Sequence, residues 1–345
     1  MSSEHIDSPS ASGVSGLSIL ILGGTGTIST EVVRRAAAVG HQVSVLNRGR
    51  SSGSGRPPLP SGVRTLTADV RDPASVRAAI GTQDFDVVVD FLGFVPDHVR
   101  ADIELFSGRT GQFVFISSAS TYQTPPARLP VTESTPLRNP FWQYSRDKIA
   151  CEDLLVATYR ETGFPMTIVR PSHTYDAASL PIDGGWTVVD RMRRGVPVIV
   201  PGDGTSLWTL THSRDFAVAF VGLLGEPATL GQAFHITSDE ALPWNRIYAD
   251  VARAAGAEPT LVHVPSEVIA RHDPDSGAGL LGDKAHSMVF DNSLVRAIVP
   301  NWRATTPFAQ GAREIIAWHD ADPARRRVDE RLNALFDRLA ARYGD

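Results

Sequence analysis

The sequence predicts an α/β protein built on a doubly wound parallel sheet. Three observations carry this. Six short apolar runs alternate with segments of helical periodicity through the first half of the chain, the pattern that parallel strands and crossover helices produce. The first run ends in a glycine-rich turn, Gly23-Gly-Thr-Gly26-Thr-Ile-Ser29, directly before a helical segment. At 345 residues the chain is also long enough for two domains or one enlarged one.

Met1 to Gly16 is serine-rich and polar, without the basic start and apolar stretch of a secretory signal, and reads as a disordered tail. Leu17–Leu22 is a buried strand, and Glu31–Val39 the helix after it. Between them the turn, with Gly23, Thr25, Gly26, Thr27 and Ile28, lets the backbone approach a pyrophosphate and sets that anion at a helix N-terminus, the Rossmann-type arrangement. Ser29 stands where a third glycine is usual, and is small enough for close helix packing.

The second strand, His41–Leu46, runs into Asn47-Arg48-Gly-Arg50. NAD-specific folds place an acid there to hold the ribose hydroxyls; this chain has none, and Arg48 could bind a 2′-phosphate. NADP is therefore favoured, with NAD the alternative. Ser51–Gly62, which follows, reads as a flexible loop, so that Arg50 before it and Arg56 within it are read as solvated charges. Val63–Thr67 is the third strand, followed by Asp69 and Val70 at the adenine, with a helix-cap role as the other reading of Asp69. Asp86–Phe91, Gln112–Ser117 and Met166–Val169 complete the series, with Leu92 and Pro171 as further cofactor contacts.

Only two lysines occur, Lys148 and Lys284, beside thirty-one arginines, and Lys148 falls four places after Tyr144. On a helix that spacing puts phenol and ammonium on one face. The cation should lower the tyrosine pKa and make it a usable general acid or base. An ammonium can also bond a ribose hydroxyl, whereas a guanidinium is shaped for carboxylates and phosphates. The bland alternative is an exposed i,i+4 pair.

Composition excludes several classes. A net charge of −5 and a pI near 6.1 give no basic footprint for nucleic acid. Mean hydropathy is −0.09 and no apolar run approaches the length of a membrane span, so a cytoplasmic protein acting on a small molecule is expected. The ten histidines form no His-Glu-x-x-His or Cys/His cluster, leaving metal catalysis unsupported. The lone Cys151 is read as a packed thiol.

Gly23-x-x-Gly26, Asp69, Ser117-Ser118-Ala-Ser-Thr-Tyr122, Tyr144-x-x-x-Lys148 and Arg170-Pro171 occur in the order found in extended short-chain dehydrogenase/reductases. Across roughly residues 17 to 320 the chain resembles the NAD-dependent epimerase/dehydratase family. Its Gly-Gly-Thr-Gly start, Asn-Arg-Gly and Asp90-Phe-Leu-Gly-Phe94 look most like the divergent branch that includes the chloroplast stem-loop-binding proteins. The resemblance implies a triad: Ser118 orients the reacting oxygen, Tyr144 exchanges its proton, and Lys148 holds the nicotinamide ribose. Ser117 is the fallback if the count back from Tyr122 slips by one. It also implies a smaller substrate lobe interleaved with the cofactor domain: 17–171 with returning segments near 209–238 for the dinucleotide, 172–208 and 239–345 for the substrate.

Three departures matter. Ala119-Ser120 stands where the dehydratases have an Asp-Glu pair, so water elimination is not expected. His173 replaces a frequent asparagine, and Trp208 stands where an arginine usually meets a nucleotide diphosphate, which puts a UDP-sugar in doubt. Ser120, His173, Trp186 and Trp208 are the substrate candidates. Arg271–Gly282 reads as a mobile loop, and Pro323–Tyr343 as an amphipathic helix packing on the body or on a second subunit of a homodimer. The expected function is hydride transfer on a hydroxyl or ketone of a sugar-like, nucleotide-linked or free, substrate; the alternative is a non-catalytic dinucleotide sensor or RNA-associated protein.

Overall fold

The computed structural model describes residues 16–49, 56 and 58–344. Most of the expected amino-terminal tail, and Arg50, lie outside them. Six strands arise in turn, β1 (Ser18–Leu22), β2 (Gln42–Asn47), β3 (Arg64–Thr67), β4 (Phe85–Asp90), β5 (Thr110–Ile116) and β6 (Met166–Pro171). They alternate with α1 (Ser29–Ala38), α2 (Pro73–Ile80), α3 (Pro96–Phe106) and α4 (Gln143–Thr162). Every pairing among them is parallel, and the expected strands are present within a residue or two. The chain reverses direction across the sheet between β1 and β4, which opens a crevice at their carboxyl ends.

In β1, Ile19 and Ile21 join a core with α1, whereas Leu20 and Leu22 face α2, α3 and α4. Both faces are therefore buried, which is why the strand reads as a continuous apolar run rather than an alternating one.

After β6 the chain forms β7 (His173–Tyr175), α5 (Trp186–Arg194), β8 (Val198–Pro201), β9 (Leu207–His212) and α6 (Ser213–Gly222). It then re-enters the main sheet as β10 (Ala233–Ile236), parallel to β6, giving seven strands in the order β10-β6-β5-β4-β1-β2-β3. β11 (Ala241–Pro243), α7 (Trp244–Ala255) and β12 (Leu261–Val264) follow. β11, β9 and β7 make a three-stranded sheet, and β12 pairs with β8. These elements share a second large core that contains Trp186, Trp208, Trp244 and Tyr248.

Two expectations are corrected. The segment read as a mobile loop is helical: α8 (Ser266–His272), α9 (Pro274–Gly279) and a π-helical turn over Leu280–Lys284 succeed one another. Two of its three glycines serve close packing, since a Cβ on Gly277 would meet Ala270 at 2.3 Å and one on Gly282 would meet Trp142 at 2.7 Å. Beyond α10 (Ser293–Ile298) and α11 (Phe308–Asp320), the closing helix α12 covers only Glu330–Tyr343, because Pro323–Arg325 makes a separate short turn. Leu335, Phe336 and Leu339 of α12 are buried in the second core, so the helix packs on the body.

Candidate active site

A cleft of about 900 Å³ runs along the carboxyl ends of the central strands, within the range of about 300–1,000 Å³ usual for small-molecule sites. At one end lies the glycine turn. Gly23 has φ +87°, and a Cβ there would strike Leu92; one on Gly24 would meet Val45 at 2.6 Å. Both glycines are thus required by packing, while Gly26 faces nothing nearer than the Ser29 Oγ at 3.4 Å. The Ser29 hydroxyl accepts from the Gly26 N–H at 2.9 Å, which gives the serine in the third-glycine position a job of its own. No side chain caps the start of α1, so the helix presents N–H groups and a positive dipole end to an anion. These features fit a dinucleotide pyrophosphate.

Asn47, Arg48, Asp69, Val70 and Leu92 line the same end. Asp69 does not cap α2, whose N-cap is Asp72; its carboxylate accepts from the Arg71 N–H at 3.0 Å. Arg56 departs from expectation. Its guanidinium is not merely solvated but pairs with Asp176 at 2.6 Å and donates to the Thr27 and Ser179 hydroxyls.

Ser118, Tyr144 and Lys148 come together in the middle of the cleft. Asn139 prepares the entry to α4, its side-chain oxygen accepting from the N–H groups of Phe141 and Trp142. One turn of α4 then separates Tyr144 from Lys148. Lys148 is 2% exposed. Its ammonium donates to the carbonyls of Gly93 and Ile116, both at 2.6 Å, and lies 4.6 Å from the Phe115 ring centroid. Burial pushes its pKa down to about 8, partly offset by Asp90. It is therefore charged at neutral pH, with one of three donors unused by those carbonyls.

Tyr144 corrects the sequence reading: its pKa is pushed up, to about 12, not down. Burial of the phenol dominates, the Ser118 hydroxyl acts in the opposite direction, and the charge of Asp283 adds to the rise. Lys148 does not reverse this: its ammonium lies 5.9 Å from the Tyr144 ring centroid and is not among the groups that shift the phenol. Tyr144 consequently holds its proton through the neutral range.

Ser117 and Ser118 both line the cleft, but their hydroxyls have different partners. The Ser117 hydroxyl is engaged, donating to the buried Glu152 carboxylate at 2.5 Å. Ser118 lines the cleft, and its hydroxyl lies 2.9 Å from that of Ser120, which accepts in turn from Ser145 at 2.8 Å. Tyr122, from which Ser118 was counted, is buried with its hydroxyl 3.0 Å from the His235 ring.

Pro171, Ser120 and His173 also line the cleft, and burial drives the His173 pKa down to about 3, with Lys284 contributing, so the ring is neutral. The two tryptophans do not join them. Trp186 stacks on His319 at 4.7 Å and Trp208 lies on Trp244 at 6.0 Å, both inside the second core. Burial of large rings competes with ligand stacking for any aromatic, and here the core won. Sequence reasoning missed Arg71, Phe94, Trp142, Asp283 and Lys284, all of which line the cleft. A signal existed for one of them: the rarity of lysine, which drew attention to Lys148, applied equally to Lys284.

The seven-stranded doubly wound sheet, the glycine turn before α1 and the Tyr144–Lys148 pair over one cleft define a nicotinamide-dinucleotide-dependent α/β enzyme. More narrowly, the chain belongs to the NAD dependent epimerase/dehydratase family, whose match spans residues 19–236. It is similar to a 2'-dehydrokanamycin reductase of Streptomyces kanamyceticus, 29% identical over 293 residues, covering 83% of this chain and 80% of that one. It is also similar to the chloroplast stem-loop binding protein of 41 kDa b of Arabidopsis thaliana, at 28% identity over 71% of this chain and 65% of that one. Among solved structures, an epimerase of Methanothermobacter thermautotrophicus superposes with a TM-score of 0.74 at 14% identity, over 90% of this chain and 94% of that one. A UDP-glucose 4-epimerase of Bifidobacterium longum, in complex with NAD+ and UDP, gives 0.70 at 19% identity, over 88% and 98%. Among the described residues no helix is long and apolar enough to cross a membrane.

Proposed function

We propose that this enzyme uses NADP(H) to reduce a ketone on a sugar-like substrate, or to oxidise the matching alcohol, through Ser118, Tyr144 and Lys148. One observation carries the reading: Ser118, Tyr144 and the buried Lys148 line a single cleft together with the glycine turn and His173. The bound nicotinamide would supply the hydride chemistry. The chain's own residues do the rest. Tyr144, protonated at neutral pH, donates to the developing alkoxide oxygen; Ser118 donates a second hydrogen bond that fixes that oxygen. Lys148 keeps its remaining donor for the ribose and its charge near the phenol.

A tyrosine that stays protonated suits reduction, and the similarity to a reductase points the same way. The absence of a carboxylate from Asn47-Arg48-Gly-Arg50 at the end of β2, with Arg48 lining the cleft, supports NADP over NAD. Epimerisation would use the same groups, so the deciding experiment follows the cofactor. NADPH is incubated with a panel of carbonyl compounds while its near-ultraviolet absorbance is recorded. Stoichiometric loss supports reduction, whereas isomer interconversion without net loss makes the enzyme an epimerase. A Tyr144→Phe variant that retains full turnover in either assay would remove the proposed triad.

A further inference from the structure

The second lysine of the chain ends in the same cleft as the first. Lys284 closes the π-helical turn after α9, and its side chain is only 10% exposed. Its ammonium stands 3.7 Å from Asp183 and 3.6 Å from Asp283, beyond the roughly 2.7–3.2 Å of a good N–H···O bond. Burial works against the charge, but the two carboxylates outweigh it and keep the Lys284 pKa above the ordinary lysine value. The group is thus an ammonium held electrostatically, with donors left for a ligand.

This turn is tied directly to the catalytic segment. The Asn139 amide donates to the carbonyls of both Ser120, at 2.8 Å, and Gly282, at 2.6 Å, so the two loops face each other across the substrate end. His173 lines that end, and its ring makes no hydrogen bond to the described residues. Asp283 and Lys284 line the cleft side by side, and Asp183 flanks the ammonium from outside that lining. The two arginines that line the cleft, Arg48 and Arg71, follow β2 and β3 toward the glycine turn. Trp208, where a diphosphate-binding arginine would be sought, lies in the core.

We propose that Lys284 and Asp283, together with His173, recognise adjacent hydroxyl groups on a polyhydroxylated ring that carries no phosphate. A hydroxyl both donates and accepts, and an ammonium beside a carboxylate offers one partner of each kind. A diphosphate would instead meet the Asp283 carboxylate that lines the cleft, where like charges repel. The inference rests on the reading of the cleft as a carbonyl-reducing site, and its test separates the two.

Binding of pentahydroxycyclohexanone, cyclohexanone and UDP-glucose to the NADP+-loaded protein is measured by calorimetry, for the wild type and for Lys284→Met and Asp283→Asn. The wild type should bind the pentahydroxy ketone more tightly than either other probe. Each variant should lose about tenfold in that affinity, the worth of one charge-assisted hydrogen bond, while its NADP+ affinity stays within about twofold. Retained preference for the pentahydroxy ketone in both folded variants, or tightest binding of UDP-glucose by the wild type, overturns the proposal. If Lys284→Met fails to bind NADP+, Asp283→Asn decides alone. Discrimination among the probes without NADPH oxidation by either ketone would strike the reductase reading and leave the recognition site standing.

Discussion

Lys148 is charged and buried at once, and its pKa of about 8 measures the compromise. Because the proposed ribose contact needs the ammonium, kcat/KM should fall as pH rises through about 8, a limb that reports the free enzyme. Stability moves the other way over the same window. Between about 8 and the ordinary lysine value of 10.5 the unfolded chain binds more protons than the folded one, so the cost of burying this group is relieved and stability rises with pH. A pH–rate profile paired with denaturation at each pH checks both signs; a flat alkaline profile counts against Lys148. His173 is neutral above about 3, so no limb near the usual histidine value should arise from it. Tyr144→Phe should lower kcat by about 10²–10⁴-fold, the usual worth of a positioned proton donor, with NADPH affinity unchanged by fluorescence titration. Lys148→Arg should also cripple turnover, since a planar guanidinium cannot replace a compact ammonium between two carbonyls 2.6 Å away.

At the scale of elements, the site depends on how α4 is held to the sheet. Glu152 of α4 pairs with Arg170 of β6 at 2.5 Å, both buried, and also accepts from Ser117 at the end of β5. Removing one charge strands the other, at about 3–5 kcal/mol. Glu152→Gln should therefore lower Tm by on the order of 10 °C and reduce kcat as well, because the same helix carries Tyr144 and Lys148. Calorimetry beside steady-state kinetics tests this; full activity with a lowered Tm would show that the pair stabilises without positioning. The glycine turn makes a second case. An alanine Cβ at Gly24 would sit 2.6 Å and 2.7 Å from the two Val45 methyls, and overpacking of that kind costs about 1–3 kcal/mol. Gly24→Ala should lower the denaturation midpoint accordingly; an unchanged midpoint would mean that β2 yields.

Across the whole molecule, the cleft joins a turn near residue 26 to a turn near residue 284, so ligand binding should stabilise the fold by mass action. At a concentration of 100 Kd a ligand adds about 2.7 kcal/mol. At equal concentration NADP+ should raise Tm by several degrees more than NAD+, and Arg48→Ser should erase the difference. Equal shifts for both cofactors in the wild type would remove the basis for preferring NADP.

The succession of strands and helices, the glycine turn and the Tyr144–Lys148 spacing were legible because each is a local pattern: periodicity, turn chemistry and i,i+4 geometry act over a few residues. The conformation of Arg271–Gly282 was not, since glycines that elsewhere loosen a chain here let a helical segment press against Ala270 and Trp142. Nor could the sequence separate Ser117 from Ser118, or tell Trp186 and Trp208 from ligand-stacking rings. Those outcomes depend on which neighbour, distant along the chain, reaches the group first: Glu152 takes Ser117, His319 takes Trp186 and Trp244 takes Trp208. The amino-acid sequence alone determined the architecture and the kinds of chemistry at hand. Only the tertiary structure decided how buried each group is, and burial is what raised the Tyr144 pKa, lowered that of Lys148 and brought both lysines into one cleft.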